Sequence, residues 1–320
     1  MLTGPAFVFP GQGSQFPGMV RDLSACGPAA RELVFTAEQV TGLDLVTLMT
    51  KADAGTIADP QIAQLLVFVA SSVMLAELRG RGCEPAAVAG HSLGEYTALT
   101  ACGSLDWHTA LALVTFRGAV MAEAARQRPG TMGAIVGLDL PRVDRLCSAA
   151  ADRNGSAVIA NINSARQVVI SGTTEAVLEV LDAASAAGAL RAKRIPVGGA
   201  YHSPLMDAAQ RRLAPLLRKA PLEPPRVPFV SSVTGERVTD IEEYRALLVA
   251  QVIRPVRWHA VTQRLAGLGA SEFVEVGPGR VLAGLGRETL RTARHLGAVE
   301  AIRRLPRPAA LAGATTAERL

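Results

Sequence analysis

Ala86-Ala87-Val88-Ala89-Gly90-His91-Ser92-Leu93-Gly94-Glu95 reads as a short apolar strand, a sharp turn and the first residues of a helix that runs on through Ala101. A strand of small apolar residues without polar alternation is one buried on both faces, as in the parallel sheet of an α/β protein. Gly90-His91-Ser92-Leu93-Gly94 matches G-x-S-x-G in the strand, turn and helix setting that lifts a serine out of a sheet as a nucleophile. The two glycines permit the tight backbone, and the helix start behind Ser92 aims N–H groups at any oxyanion formed there. A capping serine at an ordinary strand-to-helix turn gives the same five residues, so the motif alone leaves both readings open.

Outward from this elbow the α/β texture continues. Pro5-Ala6-Phe7-Val8-Phe9 is a second apolar strand, and it delivers the polar turn Pro10-Gly11-Gln12-Gly13-Ser14-Gln15. Residues 60–81 suit a buried helix ended by Gly80 and Gly82, and 111–125 suit another. From Gly130 the order is strand 131–138, helix 141–151, strands 157–161 and 167–171 around Asn163-Ser164, helix 174–187 and strand 190–197. This βαββαβ order is that of a ferredoxin-like unit. A helix at 207–220, a proline-rich connector at 221–228 and strands at 229–233 and 272–276 follow. The expected fold is a large α/β-hydrolase-like domain with a parallel sheet core, residues 1–129 and 198–300. It carries an inserted ferredoxin-like small domain, residues 130–197, and ends in a tail rich in Ala and Pro, 301–320.

Composition narrows the function. Of 320 residues, 49% are hydrophobic and 19% charged, which suits a globular chain with a sizeable core. The balance of 33 basic and 28 acidic residues gives +5, and aromatics are only 4%, so base stacking on nucleic acid is poorly supported while an acidic protein partner fits. The longest wholly apolar run near the N-terminal third, 65–70, is far below the roughly 18 residues of a membrane span. Residues 1–20 lack a basic start and are broken by Pro5, Pro10, Gly11 and Gly13, so a cytoplasmic protein without a secretory leader is expected. Cys26, Cys83, Cys102 and Cys147 are dispersed without a CxxC pair, which argues against a disulfide framework and a zinc site. No Walker loop, HExxH motif or dinucleotide fingerprint occurs, so neither a metal nor a nucleotide cofactor is expected.

A serine hydroxyl becomes nucleophilic only when a base takes its proton. His91 adjoins Ser92 and is read as supporting the elbow, because successive turn residues diverge. His108 and His259 follow tryptophans and look like half-buried packing positions, and His295 lies in an Arg-rich region. His202 stands apart, in the irregular loop Gly198-Gly199-Ala200-Tyr201-His202-Ser203-Pro204 between the two proposed domains, where sites form. Arg117 sits among apolar residues of the 111–125 helix. Burying a guanidinium requires an answering carboxylate, either from the protein or from a substrate, and both remain open on the residues alone.

Taken together the chain resembles the malonyl-CoA:acyl carrier protein transacylases and the acyltransferase domains of polyketide synthases. The matching stretches are Phe9-Pro10-Gly11-Gln12-Gly13-Ser14-Gln15, Gly90-His91-Ser92-Leu93-Gly94-Glu95-Tyr96, Arg117-Gly118, Asn161-Ile162-Asn163-Ser164, Gln167-Val168-Val169-Ile170-Ser171-Gly172, Gly199-Ala200-Tyr201-His202-Ser203, Gln251 before Pro255-Val256-Arg257-Trp258, and Val274-Glu275-Val276-Gly277-Pro278-Gly279. The resemblance implies Ser92 as acylated nucleophile, His202 as its base, and Gln251 as the residue whose backbone carbonyl holds that histidine. It implies an oxyanion hole from the backbone N–H groups of Gln12 and Leu93, and an Arg117 fork on the malonyl carboxylate. Tyr201, Gln64, His91 and Asn163 are the further substrate-binding candidates. The implied reaction is ping-pong transfer from malonyl-CoA to the phosphopantetheine thiol of an acidic, transiently docked acyl carrier protein, with no cofactor resident on this chain, which is expected to be a monomer.

Leu93 after the serine and the Gly-Ala-Tyr-His run resemble malonyl-selective members, many of which carry Phe where Tyr201 stands. Leu65 replaces the proline of the family's Gln-Pro-Ala motif after Gln64, and Arg254 stands where the fatty-acid enzymes often have Asn. An acyl hydrolase of the same fold, clearing acyl groups from carrier proteins, is the alternative. It has no use for Arg117, whereas a non-catalytic scaffold would have no use for Ser92 and His202.

Overall fold

The structure, a computed structural model, describes residues 2–20 and 26–306. The chain begins with β1 (Ala6–Phe9), α1 (Pro28–Thr41), α2 (Leu45–Thr50), α3 (Pro60–Gly80), β2 (Ala87–Gly90), α4 (Gly94–Ala101) and α5 (Trp107–Gln127). A second group follows: β3 (Thr131–Val136), α6 (Leu140–Asn154), β4 (Ala157–Ser164), β5 (Gln167–Gly172), α7 (Thr174–Ala186) and β6 (Arg191–Ile195). The chain then forms α8 (Asp207–Lys219), β7 (Phe229–Val230), β8 (Arg237–Val238), α9 (Ile241–Ala250), α10 (Trp258–Gly267), β9 (Glu272–Glu275), α11 (Val281–Thr289), β10 (Arg294–Gly297) and α12 (Ala298–Arg304).

Two sheets result. The six-stranded sheet has the order β10-β9-β1-β2-β7-β8, parallel throughout except for the antiparallel β7–β8 pair. Every residue of β1 and β2 is buried, as expected of central parallel strands covered on both faces. The four-stranded sheet is antiparallel, in the order β4-β5-β3-β6. A parallel bridge between Asn161 and Val256 ties β4 to the chain below α9, with Ile162 N–H donating to the Val256 carbonyl at 2.8 Å.

The register of β1 against β2 positions the site. Phe9 pairs with Gly90, so the turn beginning at Pro10 and the turn carrying Ser92 leave the sheet side by side at its C-terminal edge, where ligands of α/β sheets bind. Gly94 allows this closeness, because a Cβ there would fall inside the van der Waals radius of the Phe9 carbonyl. Gly94→Ala is therefore expected to destabilise the protein by about 3 kcal/mol, read as a fall in the denaturant midpoint at unchanged m-value. Similarly, a Cβ on Gly118 would press on Gln61 Cα at 3.1 Å, so this glycine lets α5 lie close on α3.

Several sequence expectations need correction. Asn163 and Ser164 lie within β4 rather than between strands, because β4 runs to Ser164 past register shifts at Ile159/Asn161 and Ile162/Ser164. Residues 301–304 belong to α12 and not to a tail, since Ala301 is buried against the core. Leu305 and Pro306 follow the helix, and residues 307–320 of that expected tail lie outside the described residues. His108 is exposed rather than half-buried, while His295, in its Arg-rich region, stands on strand β10 with its ring stacked on Phe273. Helix α3 is long and apolar enough to cross a bilayer, although its wholly apolar runs are short. Its apolar window is 78% buried within the protein, which makes it a core helix.

Candidate active site

Ser92 sits at the elbow with φ 53°, and His202 in its loop with φ 58°; among the described residues these are the only non-glycine positions in the left-handed region. Strain of this kind persists where the surroundings enforce it and is concentrated at functional sites. The two residues meet, with His202 Nε2 2.8 Å from Ser92 Oγ. On the other side of the ring, Nδ1 lies 2.9 Å from the Gln251 carbonyl and 3.0 Å from the Arg254 carbonyl. Both are acceptors only, so Nδ1 carries the proton and Nε2 is left to accept from the Ser92 hydroxyl. These carbonyls lie just beyond the C-terminus of α9, whose negative dipole end favours an imidazolium as it forms. No carboxylate is needed as the third member.

Burial pulls His202 down to about 3, aided by the nearby Arg117 charge and by His91. The ring is therefore neutral at neutral pH and ready to take a proton. His91 is lowered to about 4, mainly by burial; its Nε2 lies 3.3 Å from Asn163 Oδ1 and its ring is 5.5 Å from that of Trp258. His91 therefore braces the elbow and makes no contact with Ser92 Oγ among the hydrogen bonds described.

Arg117 reaches the site from the middle of α5 and is only 1% exposed. Its Nη1 donates to Gln64 Oε1 at 2.5 Å, while Nη2 donates to Ser92 Oγ at 3.1 Å and to Gln251 Oε1 at 3.4 Å. Tyr96 lies beneath it, its ring centre 5.9 Å from the guanidinium carbon. Every one of these partners is neutral. Among the described residues no carboxylate oxygen lies within 4.0 Å of the Arg117 nitrogens, and its Nε has no hydrogen-bond partner. A buried cation without a counter-ion in contact is costly unless an anion arrives to meet it.

A cavity of about 130 Å³ opens over Ser92, lined by Gln12 and His91 from the turns after β1 and β2, by Arg117 from α5, and by Met132, Asn161 and Ile195 from the small sheet. Tyr201 also faces it. An adjoining cavity of about 190 Å³ shares Gln12, His91, Asn161 and Ile195 and adds Asn163 and Gln167. Ser92 thus lies in a cleft between the two sheets.

The predicted residues converge unequally. Ser92, His202, Arg117, Gln12, His91 and Tyr201 all line the Ser92 cavity. Gln64 is fully buried behind Arg117, its Nε2 3.3 Å from Gln12 Oε1, so it holds the arginine rather than facing the opening. Leu93 is the N-cap of α4 and its side chain is buried, which leaves its N–H at the elbow as its means of taking part. Asn163 faces His91 and the adjoining cavity, while Asn161 takes the place beside Ser92. Sequence reading missed the Arg254 carbonyl, which carries no side-chain signal. It also missed Glu95, a buried carboxylate on α4 that the logic applied to Arg117 would have singled out. Among the described residues no cluster of three or more His, Cys, Asp or Glu could hold a metal ion.

A strained serine bonded to a neutral imidazole, beside a cation in a narrow cleft, is the equipment of an enzyme that carries an acyl group as a serine ester. The comparisons agree with that class. Residues 6–312 match the acyl transferase domain family. The chain is 38% identical over 292 residues to the malonyl CoA-acyl carrier protein transacylase of Escherichia coli (strain K12), covering 91% of this chain and 94% of that one. It is 35% identical to the transacylase of the same name from Bacillus subtilis (strain 168), over 89% of this chain and 90% of that one. The solved malonyl CoA-acyl carrier protein transacylase of Coxiella burnetii superposes with a TM-score of 0.89 at 36% identity, covering 95% of this chain and 98% of that one. A malonyl-transacylase solved in complex with its type II PKS acyl-carrier protein superposes at 0.88 with 35% identity, covering 94% and 100%. The chain belongs to the malonyl CoA-acyl carrier protein transacylase family of acyl transferases.

Proposed function

We propose that the protein transfers the malonyl group of malonyl-CoA to the phosphopantetheine thiol of an acyl carrier protein, supplying extender units for fatty-acid or polyketide synthesis. The observation that carries this reading is Arg117, a buried cation beside Ser92 Oγ held only by neutral partners. A free carboxylate on the acyl group answers it, with two N–H donors on two oxygens. An acyl hydrolase that clears general acyl groups has no use for it.

The mechanism follows from the geometry. Ser92 Oγ attacks the thioester carbonyl as His202 Nε2 takes its proton, and the N–H groups of Gln12 and Leu93 receive the oxyanion. The C–S bond breaks and the imidazolium gives its proton to the CoA sulfur. In the second half the pantetheine thiol gives its proton to His202 and attacks the seryl ester, and Ser92 is restored with that proton. The malonyl carboxylate also neutralises Arg117, which removes one of the causes that weaken His202 as a base. Gln64 and Gln251 steady the guanidinium, His91 and Asn163 brace the elbow, and the ring of Tyr201 narrows the room beside the malonyl α-carbon, disfavouring a methyl there by about 1–3 kcal/mol.

The same reading extends to the architecture. Residues 1–129 and 198–304 form a hydrolase-like catalytic domain, and 130–197 a ferredoxin-like insert whose sheet roofs the serine and keeps water from the ester. Arg191 and Lys193 are exposed on β6, the edge strand that ends at Ile195 on the cavity, and they suit transient docking of an acidic carrier. Every side chain in the mechanism comes from one chain, so a monomer suffices, and the prosthetic thiol belongs to the partner. Initial rates with malonyl-CoA and holo carrier protein varied together should give parallel double-reciprocal lines. Intersecting lines would replace the ester mechanism with direct transfer in a ternary complex.

A further inference from the structure

Glu95 plays no part in the mechanism above, yet it is 1% exposed and lies one amide away from Arg117. One of its oxygens accepts from Ser232 N–H at 2.5 Å and Ser231 Oγ at 3.3 Å, and the other accepts from Gln251 Nε2. The same Nε2 donates to the Ser92 carbonyl at 3.1 Å. Because both are acceptors, this terminal atom of Gln251 is the NH₂ group, which leaves Oε1 to face Arg117 Nη2. The Gln251 amide is thus a dipole set between a buried carboxylate and a buried guanidinium, and it keeps them out of contact. When ionised, Glu95 balances the guanidinium in the empty site, and the fork of Arg117 stays free of a fixed salt bridge.

This balance changes when a second anion enters. Resting on the reading above, we infer that Glu95 is the resting counter-ion of Arg117, and that it takes up a proton when the malonyl carboxylate takes over that role. With the malonyl carboxylate on Arg117, an ionised Glu95 would leave the enclosed site with one excess negative charge in low dielectric. Taking a proton from solvent removes it, at the expense of one of three hydrogen bonds.

The surroundings isolate this titration. Burial pushes Glu95 up to about 7 in the empty site, opposed by its donors on Ser232, Ser231 and Gln251. The charged and titratable groups around it are Arg117, Tyr96 and Tyr244, with His202 and His91 beyond the arginine. Tyr96 is raised to about 12, Tyr244 is also raised, and the two histidines lie at about 3 and 4, so none of them changes charge between about pH 6 and 8.5. By linkage, a ligand that binds best to the protonated form binds more weakly as pH rises.

The test uses malonyl- and acetyl-N-acetylcysteamine thioesters, which carry no phosphate to titrate. For the wild-type protein, KM for the malonyl thioester should rise about tenfold or more between about pH 6 and 8.5, while kcat/KM for the acetyl thioester stays level. In Glu95→Gln the malonyl KM should be independent of pH and lower than wild type at the alkaline end. Calorimetry of malonyl-CoA binding to Ser92→Ala near pH 8, in buffers of different ionisation enthalpy, should show proton uptake that Ser92→Ala/Glu95→Gln lacks. A malonyl KM that is flat or falls with pH in the wild type overturns the inference even if no variant folds. So does an unchanged slope in Glu95→Gln. If the wild type takes no malonyl at all, the reading of the site fails instead.

Discussion

Ser92→Ala should form no malonyl ester, and His202→Ala should form it about a thousandfold more slowly. The serine result follows from chemistry: no other hydroxyl among the described residues is 2.8 Å from an imidazole whose far nitrogen is pinned by two carbonyls. The histidine result is large because the fixed tautomer leaves Nε2 as the sole acceptor for the Ser92 proton. The pH profile separates the two effects. With its pKa depressed to about 3, His202 is a free base throughout the neutral range. In the free enzyme, kcat/KM for the acetyl thioester should therefore run level from about pH 5 to 8, with no step near the usual histidine value of about 6.5. A step there would mean that the imidazole is charged in the resting site. The same depression affects stability: below about 6.5 the unfolded chain gains a proton on this histidine that the folded one refuses, so its contribution falls as pH drops towards 3.

Arg117→Ala should lower kcat/KM for malonyl-CoA by at least about a hundredfold, as expected when one partner of a buried charge pair is removed. Acetyl-CoA, which has no carboxylate to meet the fork, should change by less than about threefold. Removing the guanidinium also lifts one of the causes that hold His202 down, so the base is not weakened by the substitution. The signature is a reversal of acyl preference rather than a general loss. Equal loss with both thioesters would make Arg117 a structural support for the elbow, acting through its bond to Ser92 Oγ. Steady-state rates with the two thioesters decide it.

Much of this site could be read in the residues because its parts are local. The strand 87–90 and the glycine-flanked turn place Ser92, and Arg117 announces itself as a charge in an apolar helix. The loop around His202 is conspicuous by its glycines, yet its positive φ has no sequence signal in a histidine. What escaped was set by chain crossings. Arg254 acts through a backbone carbonyl, which any side chain could present, and the matching role of the Gln251 carbonyl came only from the family resemblance. The Glu95 to Gln251 contact joins residues 156 positions apart. Strand β7 is legible at 229–233 although it ends at Val230, whereas β8 has two residues and β10 only four, beginning with the exposed Arg294, so apolar patterning could not define those two. The apolar run of α3 was legible as a buried helix because burial on all sides leaves no polar face.

The central claim is that Ser92 holds a malonyl ester and passes it to a carrier thiol. Intact mass of the protein after brief incubation with malonyl-CoA, beside Ser92→Ala, tests it most directly, followed by addition of holo acyl carrier protein. The account predicts a malonyl adduct on the wild type alone, which leaves the protein and appears on the carrier. Free malonate released with no adduct on the carrier would contradict it and make the protein a hydrolase, and an adduct that persists on Ser92→Ala would remove the serine from the chemistry.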